Sequence, residues 1–83
     1  MNEITVRFFA SARQAAGCLE TTLPCGPEPM TEEAFWRLLL AEFPALVALR
    51  RSVRLARNEE YVEAGATFSA GDEVALIPPV SGG

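Results

Sequence analysis

Along residues 4–9 the side chains alternate. Ile4, Val6 and Phe8 fall on one face, and Thr5, Arg7 and Phe9 on the other. A period of two predicts a half-buried strand. The next stretch, "SARQAAG", is alanine-rich and stops on Gly17, which predicts a brief helix with a glycine end. "LETTLP" alternates again, with Leu19, Thr21 and Leu23 on one side, and Pro24 closes it before the loop "CGPEP". The period then changes. "MTEEAFWRLLLAEF" predicts the one long helix, with Thr31 as N-cap and Glu32 and Glu33 in the first turn, where the helix dipole favours negative charge. Met30 and Phe35 stand at the two positions of a hydrophobic staple. Phe35, Leu38, Leu39 and Phe43 form the expected buried stripe, with Trp36 at its edge as a partly buried rim residue. Glu42 interrupts the stripe and Pro44 ends it, with a further turn expected through "ALVALRR". "SVRLARN" and "EYV" read as short strands around a polar turn at Asn58 and Glu59. "EAGATFSAGD" reads as a loop. "EVALIP" is the last strand, with Val74 and Leu76 on one face and Ala75 and Ile77 on the other. The pattern predicts an α+β domain: a mixed sheet of about four or five strands with one principal helix on one face.

With 83 residues there is room for a single domain with one small core. The longest unbroken apolar run, residues 45–49, is far too short to span a bilayer, and "MNEITVRFF" lacks the charge and apolar pattern of a signal peptide. The expected location is the cytoplasm, with no membrane partner. The net charge is −4. That opposes a nucleic-acid partner and favours a protein with a basic surface. Cys18 and Cys25 bracket a six-residue strand segment, which sets them some 20 Å apart, beyond the ~7 Å between Cα atoms that a disulfide allows. Both are read as reduced, structural thiols. Histidine is absent. Two cysteines without histidine make no usual zinc site, and the common histidine-activated nucleophiles are missing too. Lysine is also absent, and all seven basic residues are arginine, which a codon bias toward arginine accounts for.

The chain ends "ALIPPVSGG". Pro78 and Pro79 have no N–H for a sheet ladder, so pairing should stop there and the tail should leave extended. Residues 80–83 then reach about 13–14 Å. Gly82 and Gly83 fit a passage too narrow for any side chain and allow close approach to the terminal carboxylate.

Three pieces, "VRFFASARQAAG", "ARNEEYV" and above all "AGDEVALIPPVSGG", resemble the MoaD-type sulfur carriers of the ubiquitin-like β-grasp family, the small subunits of molybdopterin synthases. The order and length of elements extend the resemblance over the whole chain, and the terminal motif is its most specific part. The loop "PCGPEPM" and Trp36 fit no family pattern. The resemblance implies a β-grasp body over residues 1–78 and an extended tail over residues 79–83. It implies that an E1-like activating enzyme adenylates the Gly83 carboxylate with MgATP, that sulfur then replaces one oxygen to give a thiocarboxylate, and that the large synthase subunit uses this sulfur to build the dithiolene of molybdopterin. The catalytic groups would belong to that subunit, and no cofactor or metal would be held stably by this chain.

In such a fold the first and last strands run parallel, side by side. Phe9, Ala75 and Ile77 then make an apolar patch on the face away from the helix, and Pro78, Pro79, Val80, Ser81 and Gly82 lead from it to Gly83. This set is the expected partner surface. A lysine-free chain would also limit self-acylation by an activated terminus. Arg50, Arg51, Arg54 and Arg57 are read either as a solvated basic strip or as an electrostatic contact for a partner. Sulfur carriers for thiamine, tRNA thiolation or cysteine synthesis, ubiquitin-like protein modifiers and plain interaction modules remain open alternatives.

Overall fold

The computed structural model describes residues 2–79. The chain opens with β1 (Glu3–Phe8), whose Ile4, Val6 and Phe8 are buried. Helix α1 (Ala10–Ala16) follows and stops at Gly17, whose φ of 79° is the left-handed cap that glycine adopts freely. β2 (Glu20–Pro24) returns antiparallel to β1 and buries Leu23. Leu19, expected on the same inward face, lies before the strand and is 61% exposed.

β3 (Met30–Thr31) leads into α2 (Glu32–Glu42). The Thr31 hydroxyl accepts a hydrogen bond from the Ala34 N–H at 3.1 Å, the expected cap. The buried stripe of α2 is rotated from the expected one. Phe35, Trp36 and Leu39 are buried, whereas Leu38 is half in solvent at 37% exposure. Trp36 is therefore a core residue and not a rim residue. Trp36 lines a concavity with Val53, Leu55 and Val62, and Val53 and Val62 pack against the same core cluster that holds Trp36. A 3-10 helix (Pro44–Leu49) makes the expected further turn and buries Leu46.

β4 (Arg54–Arg57) and β5 (Glu60–Tyr61) form a hairpin around Asn58 and Glu59. β6 (Thr67–Phe68) lies inside the stretch expected to be a loop. It pairs antiparallel with β3, buries Phe68 completely and sets its ring 5.1 Å from that of Phe35. A two-residue strand has no periodicity to read, so only its apolar residue betrays it. β7 (Glu73–Ile77) completes the main sheet, in the order β2-β1-β7-β4-β5.

β7 is the centre of that sheet, parallel to β1 and antiparallel to β4. Its Val74 and Leu76 point to the core, where Ile4, Val6, Leu55, Phe35, Leu39 and Phe68 meet them. The two helices and the 3-10 helix cover this one face. The opposite face of the five-stranded sheet carries the remaining residues of each strand.

Candidate functional site

Register builds the site. Phe8 stands beside Leu76 across the parallel pair, so Phe9 comes level with Ile77. Arg54 stands opposite Ile77, and Ala56 opposite Ala75, across the antiparallel pair. Ala56 in turn stands opposite Tyr61 on β5. All of these alternate with core residues and face away from the helices. They enclose a concavity of about 290 Å³ lined by Arg7, Phe9, Ala56, Glu59, Tyr61, Glu73, Ala75 and Ile77. The structure thus brings together Phe9, Ala75 and Ile77, the three expected body residues of the partner surface.

Small side chains at Ala56 and Ala75 form the floor. Phe9 and Tyr61, 42% and 54% exposed, form walls. A single exposed aromatic residue is unremarkable, but two around one apolar floor make a contiguous patch. The charged rim is partly self-neutralised. Arg7 Nη1 lies 3.4 Å from Glu73 Oε2, and Arg7 Nε lies 4.0 Å from Glu20 Oε1. The Arg7 guanidinium also sits 5.8 Å from the Phe9 ring centroid. Arg54 stacks over Tyr61 at 3.9 Å, which holds that ring against the hairpin.

Pro78 follows Ile77 and is buried, and Pro79 is exposed. Val80, Ser81, Gly82 and Gly83, the remaining expected site residues, lie outside the described residues. Cys18 and Cys25 are free thiols, each half-buried against the core. The four clustered arginines divide. Arg50 and Arg54 line one concavity beside Trp36, with Arg50 5.7 Å from the Trp36 ring centroid and Arg54 over Tyr61, whereas Arg57 donates from Nη1 to the Thr67 carbonyl. Arg51 is exposed.

Sequence reading missed Ala56, Glu59 and Tyr61 as members of the site. The signal was present in the alternation Arg54-Leu55-Ala56, but using it requires knowing that β4 pairs with β7. Among the described residues no group of three or more His, Cys, Asp or Glu is placed to hold a metal ion, and no helix is long and apolar enough to cross a membrane.

Comparison with known proteins adds four findings. The family model described as the ThiS family matches residues 6–83. The molybdopterin synthase sulfur carrier subunit of Arabidopsis thaliana is 42% identical over 81 residues, 98% of this chain and 83% of the relative. Among solved structures, SAMP1 from Haloferax volcanii superposes with a TM-score of 0.81 at 28% identity, covering 98% of this chain and 99% of that one. A complex of subunits 1 and 2 of the molybdopterin-converting factor from Helicobacter pylori contains a chain that matches with a TM-score of 0.69 at 22% identity, covering 98% and 99% respectively, a likeness of fold. The fold expected from the resemblance, a β-grasp, is the fold of these neighbours and of this chain.

Proposed function

From the premise that this chain belongs to the ThiS family, whose model matches through Gly83, we propose that it is the sulfur-carrier small subunit of a molybdopterin synthase. The observation that carries the reading is the full-length likeness to a molybdopterin synthase sulfur carrier subunit, at 42% identity. The apolar concavity supports it, because it runs along the outer face of β7 from Glu73 to Ile77, the strand that leads into the tail segment.

The proposed chemistry belongs to the Gly83 carboxylate. A carboxylate oxygen attacks the α-phosphorus of MgATP in the activating enzyme, and pyrophosphate leaves. Hydrosulfide, or its equivalent at the same oxidation level, adds to the acyl carbon, and AMP leaves with the carboxylate oxygen. The thiocarboxylate that results carries one sulfur, and no electrons are exchanged. The large subunit then takes that sulfur for the dithiolene. The body contributes affinity. Ordering four tail residues costs on the order of 4–8 kcal/mol in backbone entropy, and "VSGG" has few side-chain atoms to offset it. The concavity of Phe9, Ala75, Ile77 and Tyr61 supplies the missing contact area.

The test is ATP-dependent sulfur incorporation at Gly83, read by mass spectrometry, for wild type, a form with one residue added after Gly83 and a form lacking Gly83. Each change displaces the carboxylate by about 3.5 Å. Misplacement on that scale lowers a positioned reaction by about a hundredfold. Both altered forms are expected to fold, to bind the large subunit and to accept no sulfur. An extended form that is sulfurated and turned over like wild type, without trimming, defeats the proposal. A branched target peptide in place of a thiocarboxylate would identify a protein modifier instead.

A further inference from the structure

The hairpin between β4 and β5 has positive φ at both central residues, 52° at Asn58 and 74° at Glu59. A two-residue turn of this kind favours asparagine first and glycine second. The first position follows the rule. The second carries glutamate, a side chain that the left-handed region disfavours. The turn is also anchored. The Asn58 side chain donates to Asp72 Oδ1 at 3.1 Å and accepts from the Glu73 N–H at 2.9 Å, which ties the hairpin to the start of β7. Glu59 is thereby held beside the outer-face concavity, which it lines.

Among the described residues the ion pairs are Arg7 with Glu20, Arg7 with Glu73, and Arg37 with Glu33. Glu59 is in none of them. One rim of the concavity thus carries an acid already matched by Arg7, and the other carries an unmatched carboxylate beside an apolar floor. Backbone strain kept at a residue that lines a cleft points to a use for its side chain.

We propose that the concavity receives one arginine or lysine side chain from the large synthase subunit, with its aliphatic stem between Phe9, Tyr61 and Ile77 and its cationic head on the Glu59 carboxylate. This rests on the carrier reading above. The occupant follows from three observations. The floor is apolar and the rim acidic, which suits a long side chain with a charged tip. The chain carries a net charge of −4, so a protein partner approaches with a basic surface. Ile77 lines the concavity two residues before Pro79, so a protein that holds the tail is brought over this face.

The experiment titrates the large subunit with wild type, Glu59→Gln and Glu59→Gly at low and high salt, with thermal midpoints and sulfur incorporation at Gly83 measured in parallel. Glutamine keeps the size and the backbone strain but removes the charge. Glycine removes both. Both variants are expected to weaken the complex about tenfold at low salt and to flatten its salt dependence. Glu59→Gly alone is expected to raise the thermal midpoint, by about 2–6 °C, because glycine adopts positive φ without strain. A Glu59→Gln protein that binds as tightly as wild type overturns the proposal, whatever Glu59→Gly does. Wild type that neither binds the large subunit nor accepts sulfur overturns the carrier reading as well. Wild type that does both, with variants that bind equally well, overturns only the role of Glu59.

Discussion

Ile77 is the residue at which body, outer face and tail meet. It closes β7, lines the concavity and directly precedes Pro78. Replacing it with Asp sets a third carboxylate beside Glu59 and Glu73 and removes an apolar wall. Because Ile77 is only half-buried and points away from the core, the fold should survive. The complex with the large subunit should weaken by about 2–4 kcal/mol, the range of an interface hot spot. Titration of the variant, with circular dichroism as the check on folding, decides the point: unchanged affinity in a folded Ile77→Asp protein removes the outer face from the interface. The backbone points to the same place. The non-glycine residues at positive φ among those described are Ala10, Asn58 and Glu59. Ala10 adjoins Phe9, and Glu59 is itself a lining residue. A left-handed conformation costs such residues roughly 1–2 kcal/mol, so both flanks of the face hold strain that a purely structural turn would shed with glycine.

At the scale of elements, the capped start of α2 gives a prediction that separates stability from function. Thr31 accepts from the Ala34 N–H, on the side of the molecule that faces away from the concavity. Thr31→Ala should lower stability by about 1 kcal/mol in denaturant unfolding while sulfur acceptance and affinity for the large subunit hold. Loss of affinity in the folded variant would mean that the helix side takes part in binding. The cap, β1, the glycine stop of α1, the turn at Asn58 and Glu59 and the inward pair Val74 and Leu76 were legible in the sequence because each follows from local chemistry or a short period. Phe68 was not, since β6 has two residues and exists only because β3 lies opposite it. Trp36 was misplaced for a similar reason. Helical period locates a stripe to within a residue or two, and the tertiary core that Phe35, Trp36 and Leu39 join settles which side is buried. The candidate site divides in the same way. Ala75 and Ile77 lie on β7, and Phe9 lies just beyond β1, two strands whose pairing the family resemblance implied. Ala56, Glu59 and Tyr61 join them through pairings that no local pattern states.

At the scale of the whole molecule, the composition bears on the proposed chemistry. An acyl-adenylate at Gly83 is open to attack by any amine that reaches it. Attack by a lysine ε-amine forms an amide, expels AMP and releases a proton, which ends the carrier's use. The chain has no lysine, and its seven basic residues are arginines, whose delocalised guanidinium groups are poor nucleophiles. Arg54 is the informative position. It stands in register with Ile77, beside the root of the tail, with its guanidinium over Tyr61. Arg37 makes the control, since it lies on α2 with a side chain 73% exposed and paired with Glu33 at 3.8 Å. Both substitutions by lysine keep the charge. With ATP and the activating enzyme but no sulfur source, Arg54→Lys should accumulate a product lighter by one water, the internal amide between Lys at 54 and Gly83. Arg37→Lys and wild type should remain at the parent mass. Intact-mass measurement followed by peptide mapping reads all three. If Arg54→Lys stays unmodified through many adenylation turnovers, the missing lysines do not protect the terminus, and arginine-biased codon usage is explanation enough.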